Sequence, residues 1–200
     1  MIRRPDRHRT SAVDLRPAGR PVGPDDKLSG MLIVVAGLPG AGKSTLALDL
    51  GQALNCAVLG VDQAEAAMWR AGVSQSGPTH HAAYLVVGAL AAEQIALGHH
   101  VIVDAVNGPE MARAQWRDLA AQTNTDLRFI VVECSDDDVF RNRLTHRIRH
   151  IDGFPEPTWE AVLKRRATFP PWTDDRLTTI DSVNPREANL QAALAYLSGA

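Results

Sequence analysis

The stretch GLPGAGKST, Gly37 to Thr45, constrains this chain more than any other. It follows the apolar run MLIVVA and precedes LALDLGQAL, whose apolar residues recur at helical spacing. Gly37, Gly42, Lys43 and Ser44 satisfy the pattern G-x-x-x-x-G-K-[ST] between a strand and a helix. Glycines permit a tight turn whose backbone N–H groups point inward, and the helix that follows adds its positive dipole end. Such a loop holds phosphate. Gly37, Pro39, Gly40, Ala41, Gly42, Lys43, Ser44 and Thr45 are therefore the expected nucleotide-binding residues. Lys43 reaches the β- and γ-phosphates, and the Ser44 hydroxyl serves Mg²⁺.

The rest of the chain alternates strand-like and helix-like segments. Strands are expected at 31–36, 57–61, 101–106, 127–134 and 177–181. Between and after them, helices are expected at 43–55, 63–71, 80–97, 110–122, 136–150, 158–167 and 186–198, with SQSGP at 74–78 as a break. Regular alternation of this kind gives right-handed crossovers and an α/β fold, a parallel sheet with helices on both faces. Ligands of such sheets bind at the carboxyl ends of the strands. The loops starting at Gly37, Asp62, Asp104 and Cys134, and the one after Asp181, then share one rim.

Two strand-end acids carry the chemistry. Asp104 follows VIV, as an acid presented to a metal does, with a turn or helix-capping aspartate as the structural alternative. Ser44 and Asp104 are the expected metal residues. Ala105 stands where a hydrolytic motor carries a water-activating glutamate, which counts against a motor. Asp62, in LGVDQAE, is placed to accept the proton of an acceptor hydroxyl near a γ-phosphate; the same residue would also serve as a helix N-cap. Arg141, Arg143, Arg147 and Arg149 crowd one segment, with Arg143 and Arg147 four apart and so on one helix face. A lid that spreads charge over a transferring phosphoryl group needs such residues. Lys43, Asp62, Arg143 and Arg147 are the expected catalytic set.

The bulk composition bounds the remainder. No apolar run reaches the roughly 18 residues that span a bilayer, and a cytoplasmic protein without membrane contact is expected. Residues 1–30 carry seven Lys or Arg against four Asp, while the whole chain has net charge −2. A basic leader so poor in apolar residues does not fold by itself and is expected to be flexible. Cys56 and Cys134 make no CxxC pair and read as buried thiols. The pairs His80–His81 and His99–His100 lack zinc-ligand spacing. Trp159 and Trp172 flank the helix after the lid and are expected to pack it.

GLPGAGKST, VDQAE, VIVDAVN, RNRLTHR and LTTID together resemble the small P-loop kinases of the polynucleotide kinase, adenylylsulfate kinase, chloramphenicol phosphotransferase and zeta-toxin group. They also resemble compact bacterial AAA-family ATP-binding proteins. The resemblance covers about residues 31–183. It implies a three-layer P-loop NTPase fold with a five-stranded parallel sheet, an Arg-rich lid near 136–156, and ATP and Mg²⁺ as cofactors. It also implies Asp62 as the acceptor-activating base, Asn107 near the metal or acceptor, and the loop after Asp181 beside the adenine. Several relatives hold a phosphate on the acceptor with an arginine three residues after the base; here that position is Glu65. The resemblance therefore implies an uncharged or cationic hydroxylated small molecule, such as a nucleoside-like compound, a sugar or an antibiotic.

Two other classes remain open at this level. One is a nucleotide-dependent switch that binds a partner, although no N/T-K-x-D segment is present. The other is a polynucleotide 5′-kinase, which the acidic remainder of the chain and Glu65 disfavour, because nucleic-acid grooves need positive potential. The oligomeric state stays open between monomer and homodimer.

Overall fold

The computed structural model describes residues 30–147, 151, 154–173 and 176–199. The leader expected over 1–30 lies outside these residues, except for Gly30, and so does Arg149. Strands β1 (Met31–Ala36), β2 (Ala57–Gly60), β3 (Val101–Asp104), β4 (Asp126–Glu133) and β5 (Leu177–Asp181) form one sheet in the order β2-β3-β1-β4-β5. Every pairing is parallel. Helices α1 (Lys43–Leu54), α2 (Val61–Arg70), α3 (Thr79–Ala96), α4 (Glu110–Thr123), α5 (Asp137–His146), α6 (Trp159–Ala167) and α7 (Arg186–Ser198) connect and flank the strands.

The period of two along each strand sorts the core into two layers. Leu32, Val34, Val101, Val103 and Phe129 face the helices α3 and α4, where they meet Tyr84, Ile95, Trp116 and Leu119. Ile33, Val35, Ile102, Ile130 and Val132 face α1 and α7, where they meet Leu46, Leu50, Ala193 and Leu197. A smaller cluster of Ala41, Cys134, Phe140, Leu144 and Val162 roots α5 and α6 beside the glycine loop. β1 is central, and its two neighbours belong to crossovers running in opposite directions, so the loop at its carboxyl end opens at a topological switch point.

Several boundaries differ from the sequence reading for local reasons. β2 stops at Gly60 because its ladder partner β3 stops at Asp104. Helix α2 then starts at Val61, so Asp62 sits in its first turn; the N-cap is Gly60, not Asp62. α5 ends at His146 rather than running to 150, and Arg147 is extended, with φ −68 and ψ 135. The Thr145 hydroxyl and His146 Nδ1 satisfy the last-turn carbonyls of Arg141 and Asn142. Arg143 and Arg147 therefore do not share a helix face. The start of α5 is capped by the Asp136 side chain, which accepts from the N–H groups of Asp138 and Val139. Cys134 is buried, whereas Cys56 is only half-buried; both are free thiols. Trp159 packs edge-on against Phe140 of α5, while Trp172 packs instead on Phe129 of the sheet. No helix among the described residues is long and apolar enough to cross a membrane.

Candidate functional site

Backbone shape, more than side chains, builds the glycine loop. Gly37 has φ +144, and a Cβ there would come 2.3 Å from the Val132 carbonyl oxygen of β4. Gly42 has φ +102 and forms the N-cap of α1, lying against the Ser182 side chain. Within the turn, the Ala41 N–H bonds to the Leu38 carbonyl at 3.1 Å and the Leu46 N–H returns to the Gly42 carbonyl at 3.2 Å. The first-turn amides between them have no intrahelical acceptor and face the position an anion takes. Pro39 and Ala41 are buried and support the turn from behind, Ala41 against Phe140 and Leu144.

In front of the loop lies a cavity of about 870 Å³, within the range of small-ligand sites. Gly40, Gly42, Lys43, Ser44 and Thr45 line it, together with Asp62 and Asp104. Arg143 and Arg147 line it as well. The geometry thus gathers the expected catalytic set and the expected metal residues around one space. Lys43 is 4% exposed, so its ammonium is presented to the cavity rather than to bulk water.

Asp104 is 6% exposed, and its Oδ1 is buried without a hydrogen-bond partner. A carboxylate oxygen left unsatisfied at this depth is costly unless a cation completes it. The residues therefore fit a divalent ion. Asp104 and the Ser44 hydroxyl would hold it, with phosphate oxygens and water filling the oxygen-rich shell that Mg²⁺ prefers.

Arg143 and Arg147 are anchored on different partners. Arg143 donates from Nη1 to Ser182 Oγ at 2.8 Å and from Nη2 to the Ser182 carbonyl at 3.0 Å, which ties α5 to the loop after β5. Arg147 pairs through Nε with Glu156 at 3.1 Å. At the strand ends, Asp181 accepts from the Ser135 hydroxyl and from the N–H groups of Val183 and Ser135. The Ser135 hydroxyl, followed by the Val183 N–H, holds the Asp181 carboxyl below its ordinary range.

Sequence reasoning missed several parts. Ser182, Asn184 and Asn189 line the cavity beside the bidentate pair Arg186–Asp49, whose distances are 2.7 and 2.5 Å. Those partners are 137 residues apart, and no local pattern joins them. His80, set aside in the sequence, bonds through Nδ1 to Glu65 at 3.0 Å. Asn107 is fully buried with φ +51, and its side chain faces neither cavity nor solvent. It accepts from Trp116 Nε1 at 2.8 Å and donates to the Ala105 carbonyl at 3.3 Å. Its backbone carbonyl takes the Arg113 guanidinium, which also bonds the carbonyls of Pro170 and Pro171 and lies 3.7 Å from the Trp172 ring centre. Asn107 is thus a buried junction that holds the loop after Asp104. Tyr84 joins it by accepting the Asn107 N–H, and burial pushes its phenol up to about 12.

A glycine-rich loop at the switch point of a five-stranded parallel sheet, sharing its cavity with Asp62, Asp104 and two arginines, defines a P-loop kinase fold. The chain belongs to the family described as an AAA domain, whose model matches residues 32–170. It is 30% identical over 174 residues to an uncharacterized protein of Mycobacterium tuberculosis (strain ATCC 25618 / H37Rv), an alignment covering 81% of this chain and 34% of that one. The chain therefore spans about a third of the length of the curated relatives it matches. Among solved structures it resembles a putative kinase from Chloroflexus aurantiacus, with TM-score 0.68 and 22% identity over 84% of this chain and 98% of that one. It also resembles the Mycobacterium tuberculosis APS kinase solved with AMPPNP and APS, with TM-score 0.60 and 20% identity over 84% and 98% of the two chains.

Proposed function

We propose that the protein is an ATP- and Mg²⁺-dependent phosphotransferase that moves the γ-phosphoryl group of ATP to a hydroxyl of a small molecule. The observation that carries this is the position of Asp62, which lines the same cavity as Lys43 and Ser44. Lys43 and the loop amides bind and orient the β- and γ-phosphates. Asp104 and Ser44 would hold Mg²⁺, which when bound would supply positive charge against the phosphate oxygens. Asp62 accepts the acceptor's hydroxyl proton as that oxygen bonds to phosphorus and the bond to the β-phosphate oxygen breaks, leaving ADP. Arg147 faces the same space and stabilises charge spread over the equatorial oxygens. Arg143, anchored on Ser182, holds the nucleotide side of the lid. Ala105, with no side-chain base, leaves Asp62 as the proton acceptor in place of a water-activating glutamate.

The test is a screen of hydroxylated small molecules by ADP release, repeated with Asp62→Asn and Lys43→Ala. Asp62→Asn is expected to keep Mg–ATP affinity and lose transfer by about 10²–10⁴-fold, and Lys43→Ala to lose both. Unchanged turnover of Asp62→Asn on a genuine acceptor would overturn the reading.

A further inference from the structure

Asp62 brings α2 to the edge of the phosphate cavity, and the same face of the helix has a chemistry of its own. Asp62, Glu65 and Trp69 stand at spacings i, i+3 and i+7, which places them in one row. The row runs about 10 Å from Asp62 to Trp69, with Glu65 about 4.5 Å along it. A second wall faces it. Ile151 lines the phosphate cavity, and the N–H of Phe154 bonds back to the Ile151 carbonyl at 3.2 Å. The Phe154 ring stacks on Trp69, with centroids 5.1 Å apart and planes at 14°.

Glu65 is the unusual member, a carboxylate on a residue only 5% exposed. Its Oε1 accepts from the buried Thr79 hydroxyl at 2.8 Å, and the same hydroxyl accepts from Trp69 Nε1 at 3.0 Å, which fixes the indole plane. Its Oε2 meets His80 Nδ1 at 3.0 Å. The two sides differ in permanence: the Glu65 side chain is 6% exposed, while that of His80 is 59% exposed. Among the described residues the Glu65 carboxylate is met by this imidazole and by no lysine or arginine. A negative charge withdrawn from water, with one oxygen fixed internally and the other held by an exposed imidazole, selects a cation and rejects an anion.

We propose that the acceptor is an amino sugar, its ammonium group held by Glu65 while a ring hydroxyl meets Asp62 and the ring lies toward Trp69 and Phe154. One six-membered ring spans the hydroxyl-to-amine spacing that Asp62 and Glu65 set. Aromatic faces suit both the apolar C–H face of a sugar and the charge of its amine. Phosphorylated or carboxylated acceptors meet two carboxylates in this row and are repelled. The inference rests on the phosphotransfer reading of the cavity and deepens it.

The test uses the full chain loaded with Mg²⁺ and a nonhydrolysable ATP analogue, titrated calorimetrically with glucosamine, glucose and gluconate. Glucosamine is expected to bind at least about tenfold tighter than glucose, with gluconate weakest. In Glu65→Gln the preference for glucosamine over glucose should collapse, while the heat of the ATP analogue reports that the variant is folded. Equal affinity for glucosamine and glucose, tighter gluconate, or no glucosamine binding overturns the proposal, and these outcomes need no variant. A preference that persists in folded Glu65→Gln also overturns it. The underlying reading fails differently: in that case the ATP analogue gives no Mg²⁺-dependent heat, or bound glucosamine receives no label from γ-labelled ATP.

Discussion

Replacing Asp104 by asparagine should make the nucleotide-free protein more stable and deprive it of its response to Mg–nucleotide. Asp104 is 6% exposed, and its Oδ1 has no hydrogen-bond partner. A buried unsatisfied acceptor costs about 1–3 kcal/mol, and more when charged. Lys43 is buried and lines the same cavity. Asparagine keeps the shape and removes the charge, but still leaves one polar atom unpaired, so the expected gain is about 1 kcal/mol. For a chain of this size that is a rise in Tm of about 2–4 °C. The wild type at a hundredfold excess of nucleotide over Kd should gain about 2.7 kcal/mol, and the variant only a fraction of it. Thermal unfolding of both proteins, with EDTA and with Mg²⁺ plus a nonhydrolysable ATP analogue, checks both halves. An Asp104→Asn protein that melts lower than wild type without nucleotide, or that keeps the full Mg²⁺-dependent shift, would refute the assignment of this oxygen to a metal.

Other perturbations probe the frame around the cavity. Gly37→Ala forces a Cβ to 2.3 Å from the Val132 carbonyl at φ +144, and urea unfolding should show a loss of at least about 2 kcal/mol. Arg113→Ala unpairs the carbonyls of Asn107, Pro170 and Pro171 and empties the space on Trp172. It should destabilise by about 3–5 kcal/mol, and Arg113→Lys should not restore this, because a point charge cannot satisfy a fork. Tyr84 titrates at about 12 in the fold against 10.0 ordinarily. With the folded value raised, its contribution is complete below pH 10 and is lost as pH rises through about 12, on the order of 2–3 kcal/mol. Urea midpoints at pH 9 and pH 11 should therefore diverge less in Tyr84→Phe than in wild type.

Local periodicity carried much of the fold. Alternation of β-branched runs with Leu- and Ala-rich helices identified all of the strands, and GLPGAGKST located the cavity mouth, because those signals lie within a few neighbouring residues. The order β2-β3-β1-β4-β5 was not legible, since it follows from which strands pair across the chain. Asp62 was found as a strand-end acid, yet its place in the first turn of α2 depends on where β3 ends. RNRLTHR reads as one helix through Arg147 until Thr145 and His146 turn onto the last carbonyls. The Arg113 junction and the Arg186–Asp49 pair were invisible because they join residues 57, 58 and 137 positions apart. Asn107 shows the converse: its position after a strand-end acid suits a site residue, but its side chain is spent on Trp116 and the Ala105 carbonyl.

In the proposed reaction, phosphate held by Lys43 and Ser44 is passed to an organic hydroxyl with Asp62 as the proton acceptor. It is tested most directly by following the label from γ-labelled ATP in the presence of the small-molecule fraction of a cell lysate. Wild-type protein is expected to move label into an organic phosphate ester, and Asp62→Asn to bind Mg–ATP but form none of that ester. Label appearing only as inorganic phosphate, or an equal yield of ester from Asp62→Asn, would contradict it.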